Sequence, residues 1–232
     1  MRLVSIRLII AVATLAASLV LAGCARSPQG AGATGRQLVI EMRVAGVINP
    51  DYYYYVAIDN DGDPINGPND GPIAVVGPPW GNGWGTGAIT HFVQYDTREL
   101  GYGLYRFLDP GVFLNAERIG YPVNYTTPGL NSNQLLFVIN LDDIITGSQT
   151  NGNDIETLEI NLITTDVKPL DPDFIGPRYW DALGDFSSNS FIRLSVTPGR
   201  TISNTTEDLE VSGDTPKPDL DITDWSIEVQ QL

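Results

Sequence analysis

Over residues 38–44 the chain alternates, with Leu38, Ile40, Met42 and Val44 on one side of the pattern and Glu41 and Arg43 on the other. A two-residue period places the two sets on opposite faces of a strand. Short runs of β-branched and aromatic residues, several of them alternating, recur at 52–58 (YYYYVAI), 72–77, 89–95, 102–108, 121–126, 134–141, 155–164 and 191–196. The last run sets Trp225, Ile227 and Val229 on one face. Segment 134–141 (QLLFVINL) is almost unbroken in apolar residues and predicts a central strand buried on both faces. Helix is scarce: one turn is expected at 179–183, opened by Pro177 and closed by Gly184. The 24 glycines and 16 prolines fall between the runs as turn punctuation, and Asn151-Gly152 within 147–154 predicts a hairpin loop. The pattern predicts an all-β protein, a single antiparallel β-sandwich of about ten strands with long Gly-, Pro- and Asp-rich loops.

The first residues follow a different pattern. Arg2 and Arg7 precede an uncharged apolar run over 8–21, and small residues follow at Ala22 and Gly23. A positive head, an apolar stretch of roughly 7–15 residues and a small-residue exit make a secretory signal, whereas a spanning helix needs roughly 20 apolar residues. Leu21-Ala22-Gly23-Cys24 resembles the lipobox of bacterial lipoproteins. The resemblance implies cleavage before Cys24 and acylation of that cysteine, which would hold the mature chain on a bacterial membrane. Ala25 is not acidic, so an outer-membrane or surface position is expected rather than an inner-membrane one. The expected organisation is a signal peptide at 1–23, a flexible Gly-, Ala- and Ser-containing tether at 24–36, and one domain at 37–232.

Composition narrows the function. Once Arg2 and Arg7 are set aside, 28 acids face 11 bases, a net charge of −17. Such a surface repels nucleic acid, and no basic cluster overrides it. Cys24 is the only cysteine, so disulfides within the chain and thiolate metal sites are excluded. His91 is the only histidine and lies in a predicted strand, where a hydrogen-bonded structural role is expected rather than a catalytic one. No G-x-S-x-G surrounds a serine. A chain without enzymatic activity is expected.

Three stretches carry candidate chemistry. Asp59-Asn60-Asp61-Gly62-Asp63-Pro64 places carboxylates at Asp59, Asp61 and Asp63 on a tight turn, and hard oxygen ligands suit Ca²⁺. It departs from an EF-hand loop, because Pro64 stands where that loop needs glycine. The alternative is a plain turn leaving the preceding strand. Trp80 and Trp84 lie on the Gly-rich loop 78–87, and with Tyr53 and Tyr55 they would form an aromatic platform for a glycan. The alternative there is two indoles folded back to plug the sandwich. Asp171, Asp173, Asp181 and Asp185 form one further acidic loop, and Asp214, Asp219, Asp221 and Asp224 another, each a cation loop or a solvated connection. The mature domain is similar in style to β-sandwich carbohydrate-binding modules, which implies a lipid-anchored envelope module binding glycan. A structural envelope protein that contacts other proteins is the competing expectation.

Overall fold

The computed structural model describes residues 35–62, 71–108, 115–184 and 190–232. The signal segment 1–23, Cys24, the tether up to residue 34 and Asp63 lie outside the described residues. The strands run in chain order as β1 (Arg36–Val44), β2 (Tyr53–Asp59), β3 (Pro72–Ala74), β4 (Gly85–Gly87), β5 (His91–Asp96), β6 (Gly101–Phe107), β7 (Ala116–Gly120), β8 (Asn124–Tyr125), β9 (Gln134–Asn140), β10 (Thr157–Thr165), β11 (Trp180–Ala182), β12 (Ile192–Ser195), β13 (Thr201–Ser203) and β14 (Ile222–Gln231). One short helix, α1 (Asn204–Glu207), stands among them. All described residues fall in one compact unit. No helix among them is long and apolar enough to cross a membrane.

The fold is all-β and antiparallel, as the alternation predicts. One sheet has the order β13-β14-β1-β9-β8, and the other β11-β10-β2-β5-β6-β7, with β12 also paired to β10. Leu38, Ile40, Met42 and Val44 of β1 meet Tyr54, Val56 and Ile58 of β2 in the core between the sheets, with Trp225, Ile227 and Val229 of β14 beside them. The period of two therefore sets which residues enter the core.

The second sheet is covered on its outer face as well. Tyr55, Ala57, Phe92, Phe107 and Ile163 project there and pack under Ala74, Trp84 and Ile89, on or beside the β3–β4 ribbon. This third layer explains why β2 and β5 are buried on both faces. It also corrects the expectation for 134–141. In β9 only alternate residues are buried, because no described residues form a layer over the outer face of its sheet, and Leu136 and Val138 stay half-exposed. Continuous hydrophobicity did not distinguish a covered sheet from an open one.

Two further expectations change. Residues 180–182 form the edge strand β11, paired with β10 through Thr165↔Trp180 and Ile163↔Ala182, instead of a helical turn. The 147–154 segment is not a hairpin loop, since β9 and β10 belong to different sheets. It carries the chain from one layer to the other. A 3₁₀ turn over Gly152–Asp154 is closed by the Asp154 carboxylate, which accepts from the Thr150 amide at 2.7 Å.

β1 begins at Arg36, at the end of the expected tether. The buried Arg36 guanidinium donates to the carbonyls of Val196, Gly152 (2.8 Å) and Ile155 (2.9 Å). One side chain thus ties the start of the fold to two later connections. Hydrogen bonds from a charged donor are worth about 1.5–3 kcal/mol net. Arg36→Ala is expected to lower the urea-unfolding free energy by about that amount. A loss under about 0.5 kcal/mol would show the three carbonyls to be equally well served by water.

Candidate functional site

Trp84 is turned inward by its own loop. The Asn82 carbonyl oxygen accepts from the amides of Trp84 (2.9 Å) and Gly85 (2.7 Å), closing a tight side-chain turn. Gly83 has φ +88°, and a Cβ there would meet Lys168 and the Pro169 carbonyl at 2.7 Å, so the loop closes only around glycine. The indole, 1 % exposed, lies flat on Tyr55 with centroids 4.1 Å apart and planes 6° from parallel. Phe92 lies against it at 5.1 Å. Trp80 is also buried, donating from Nε1 to the Phe174 carbonyl at 3.0 Å. Tyr53 stacks along Tyr55 at 6.3 Å and has the Arg98 guanidinium 4.0 Å over its ring. The expected glycan platform of Trp80, Trp84, Tyr53 and Tyr55 is thereby corrected. These rings pack against protein: Tyr53 and Tyr55 lie on the outer face of the second sheet, Trp84 in the layer over it, and Trp80 against Phe174.

Asp59 and Asp61, in contrast, line an open cleft of about 330 Å³ where β2 ends and β10 begins. Asp154, Glu156 and Glu159 line it too, with Thr146, Ser148 and Gln149 on the opposite wall. That wall is preformed: Asn60 donates to Ile144 O (2.7 Å) and exchanges amide hydrogen bonds with Gln149 (2.8 and 2.9 Å). Across the sheet, Asp59 pairs in register with Glu159, and Glu159 with Arg193. Arg193 binds Glu159 at 2.7 Å, which leaves Asp59 facing a like charge without a cation of its own. Asp59 Oδ1 is buried with no hydrogen-bond partner among the described residues. Burial, with Asp61 and Glu159 nearby, pushes the Asp59 carboxyl up to about 7. Asp63 lies outside the described residues. Among the described residues no third acid, His or Cys converges with Asp59 and Asp61 at ligating distance.

A second group of carboxylates was not legible as one group. Asp181 of β11 and Asp214 and Asp221 of the loop before β14 bring oxygens within 4.8 Å of one another. Glu210, which follows α1, stands beside them on a backbone bridge to Gly184. Burial and the neighbouring carboxylates raise Asp181 to about 8 and Glu210 to about 10. Asp181 and Asp221 belonged to two separate acidic loops in the sequence, and Glu210 had no acidic neighbour at a telling spacing. The pairing of β11 with β10, the bridge from Gly184 to Glu210 and the hydrogen bond from the Ile222 amide to Asp181 bring these segments together.

His91 opens β5, buried, with Nδ1 3.2 Å from the Thr90 hydroxyl. Burial and the nearby Arg106 hold its pKa down at about 4, so the ring is neutral at pH 7. The arrangement is that of a strand histidine held by its neighbours. No protein family, no curated protein and no solved structure matches this chain.

Proposed function

We propose that this chain is a lipid-anchored, non-catalytic envelope module that binds a small cationic, donor-rich ligand in the Asp59–Glu159 cleft. Amino sugars are the nearest chemical fit, because the cleft offers carboxylates for an ammonium group and amide and hydroxyl groups for sugar hydroxyls. The observation that carries the reading is the cleft itself, five acids including Asp59, with one arginine already engaged by Glu159. The resemblance of Leu21–Cys24 to a lipobox supports the anchor. Cys24→Ala is expected to abolish incorporation of a fatty-acid label and release the chain from the membrane fraction; retention of both would end that part of the proposal.

Ligand binding is tested by calorimetry on the full chain in detergent, with amino sugars and polyamines set against their N-acetylated forms. Saturable binding of the cationic members is expected, with Asp59→Asn weakening it about tenfold, the size of one charge-assisted hydrogen bond. Equal binding of the acetylated forms, or of none, would remove the cleft as a cation site.

One observation favours a protein-contact role in addition. Ile119, Tyr121, Val123 and Tyr125 alternate along the segment that passes from β7 to β8, and all four side chains are exposed. An exposed apolar row at one edge is the feature of a contact surface. Tyr121→Ser with Val123→Ser would leave the melting temperature unchanged and remove envelope crosslinks that the parent chain forms.

A further inference from the structure

The carboxylates of Asp181, Asp214 and Asp221 come from two separate parts of the chain and close on one another, and Glu210, from a third part, stands beside them. Asp181 and Asp221 are buried, and Glu210 is 6 % exposed. Asp181 already accepts from the amides of Ala182 (2.9 Å) and Ile222 (2.6 Å), and Asp221 from that of Gly213 (2.8 Å). Those bonds orient the carboxylates and leave further lone pairs aimed at the common centre. Glu210 differs. Neither of its oxygens has a hydrogen-bond partner among the described residues, although its backbone is held by the Gly184 bridge and by Asn204 at 3.1 Å. Among the described residues, Asp181, Glu210 and Asp221 have no Lys or Arg within ion-pair distance.

An unpartnered buried carboxylate beside three others is costly unless a positive charge sits among them. Oxygens all within 4.8 Å of one another are close enough to be drawn onto one cation. An irregular carboxylate set suits calcium, whose oxygen shell is flexible, whereas magnesium demands a strict octahedron. The donors are all oxygen, which disfavours zinc. We propose that Asp181, Asp214 and Asp221, with the buried Glu210 carboxylate beside them, bind one divalent cation, calcium by its oxygen donors, as a structural centre that fastens β11, the segment after α1 and the loop into β14. This is a different place from the Asp59–Asp63 turn where the sequence invites calcium, and it stands independently of the cleft reading.

The test uses the purified full chain in detergent, stripped with EDTA and titrated with CaCl₂, with MgCl₂ and ionic-strength-matched NaCl as controls. Binding of one calcium ion per chain by calorimetry is expected. The melting temperature should rise by about 5–10 °C at calcium a hundredfold above its dissociation constant. Glu210→Gln should lose at least tenfold in calcium affinity. Asp221→Asn gives the same readout if Glu210→Gln fails to fold. A parent chain whose melting is unmoved by calcium overturns the proposal. So does a calcium response that survives both substitutions, and one lost instead in Asp59→Asn places the ion in the cleft.

Discussion

Trp84→Ala is expected to lower the unfolding free energy by about 3–5 kcal/mol, the range for truncating a large buried aromatic. The physical reason is specific to the third layer. Trp84 lies on Tyr55 at 4.1 Å and near Phe92 at 5.1 Å, and Phe92 in turn stacks on Tyr105 at 4.8 Å. Removing the indole leaves a void beneath the β3–β4 ribbon. The Tyr55 hydroxyl, buried without a hydrogen-bond partner, offers the collapsed loop no compensating anchor. Urea unfolding followed by circular dichroism measures the loss. Trp84→Phe should recover part of it, since an aromatic ring still covers Tyr55. A loss below about 1 kcal/mol would mean that the loop is not part of the folded core, and would return the indole to the list of ligand contacts.

Acid should destabilise the protein through His91 by about 3 kcal/mol. In the unfolded chain the imidazole titrates near its ordinary 6.5, and in the fold near 4. The unfolded state therefore binds the extra proton first as pH falls. The full stability is present above 6.5, declines between 6.5 and 4, and shows no further loss from this group below 4. Asp59, Asp181 and Glu210 act in the opposite direction, because their raised pKa values favour the protonated folded state in acid. The measurement must isolate the histidine: urea unfolding of the parent chain and of His91→Gln at a series of pH values from 7 to 4. The difference between the two curves should change by about 3 kcal/mol across the window in favour of the variant. Parallel curves would mean that the ring is protonated in the fold and has a counter-charge.

The fold was readable where burial follows the period of two. β1 and β14 were, because alternate residues enter the core. β2 was recognised as a strand, yet the purpose of its tyrosines was not. Tyr54 faces the inter-sheet core and Tyr53 and Tyr55 the outer layer, and a run of four tyrosines does not say what covers each face. Residues 180–182 were misjudged because Pro177 and Gly184 are good helix punctuation, while the partner that makes β11 a strand lies in β10, more than a dozen residues earlier. Asp59 and Asp61 read in the sequence as a calcium turn leaving a strand; that they line a cleft depends on the acids of β10 and the wall at 146–149, which no local pattern announces. The Asp181–Glu210–Asp214–Asp221 group had no local signature. Its members are drawn together by contacts between segments far apart in the chain.

The two sheets end on short strands. Among the described residues, β13 spans three residues, β8 two, β11 three and β7 five. An edge strand with a long row of unpaired amides and carbonyls is a template on which another chain can add. Here each such row stops after a few groups. Such truncated margins give a neighbouring copy too short a row on which to extend a continuous sheet.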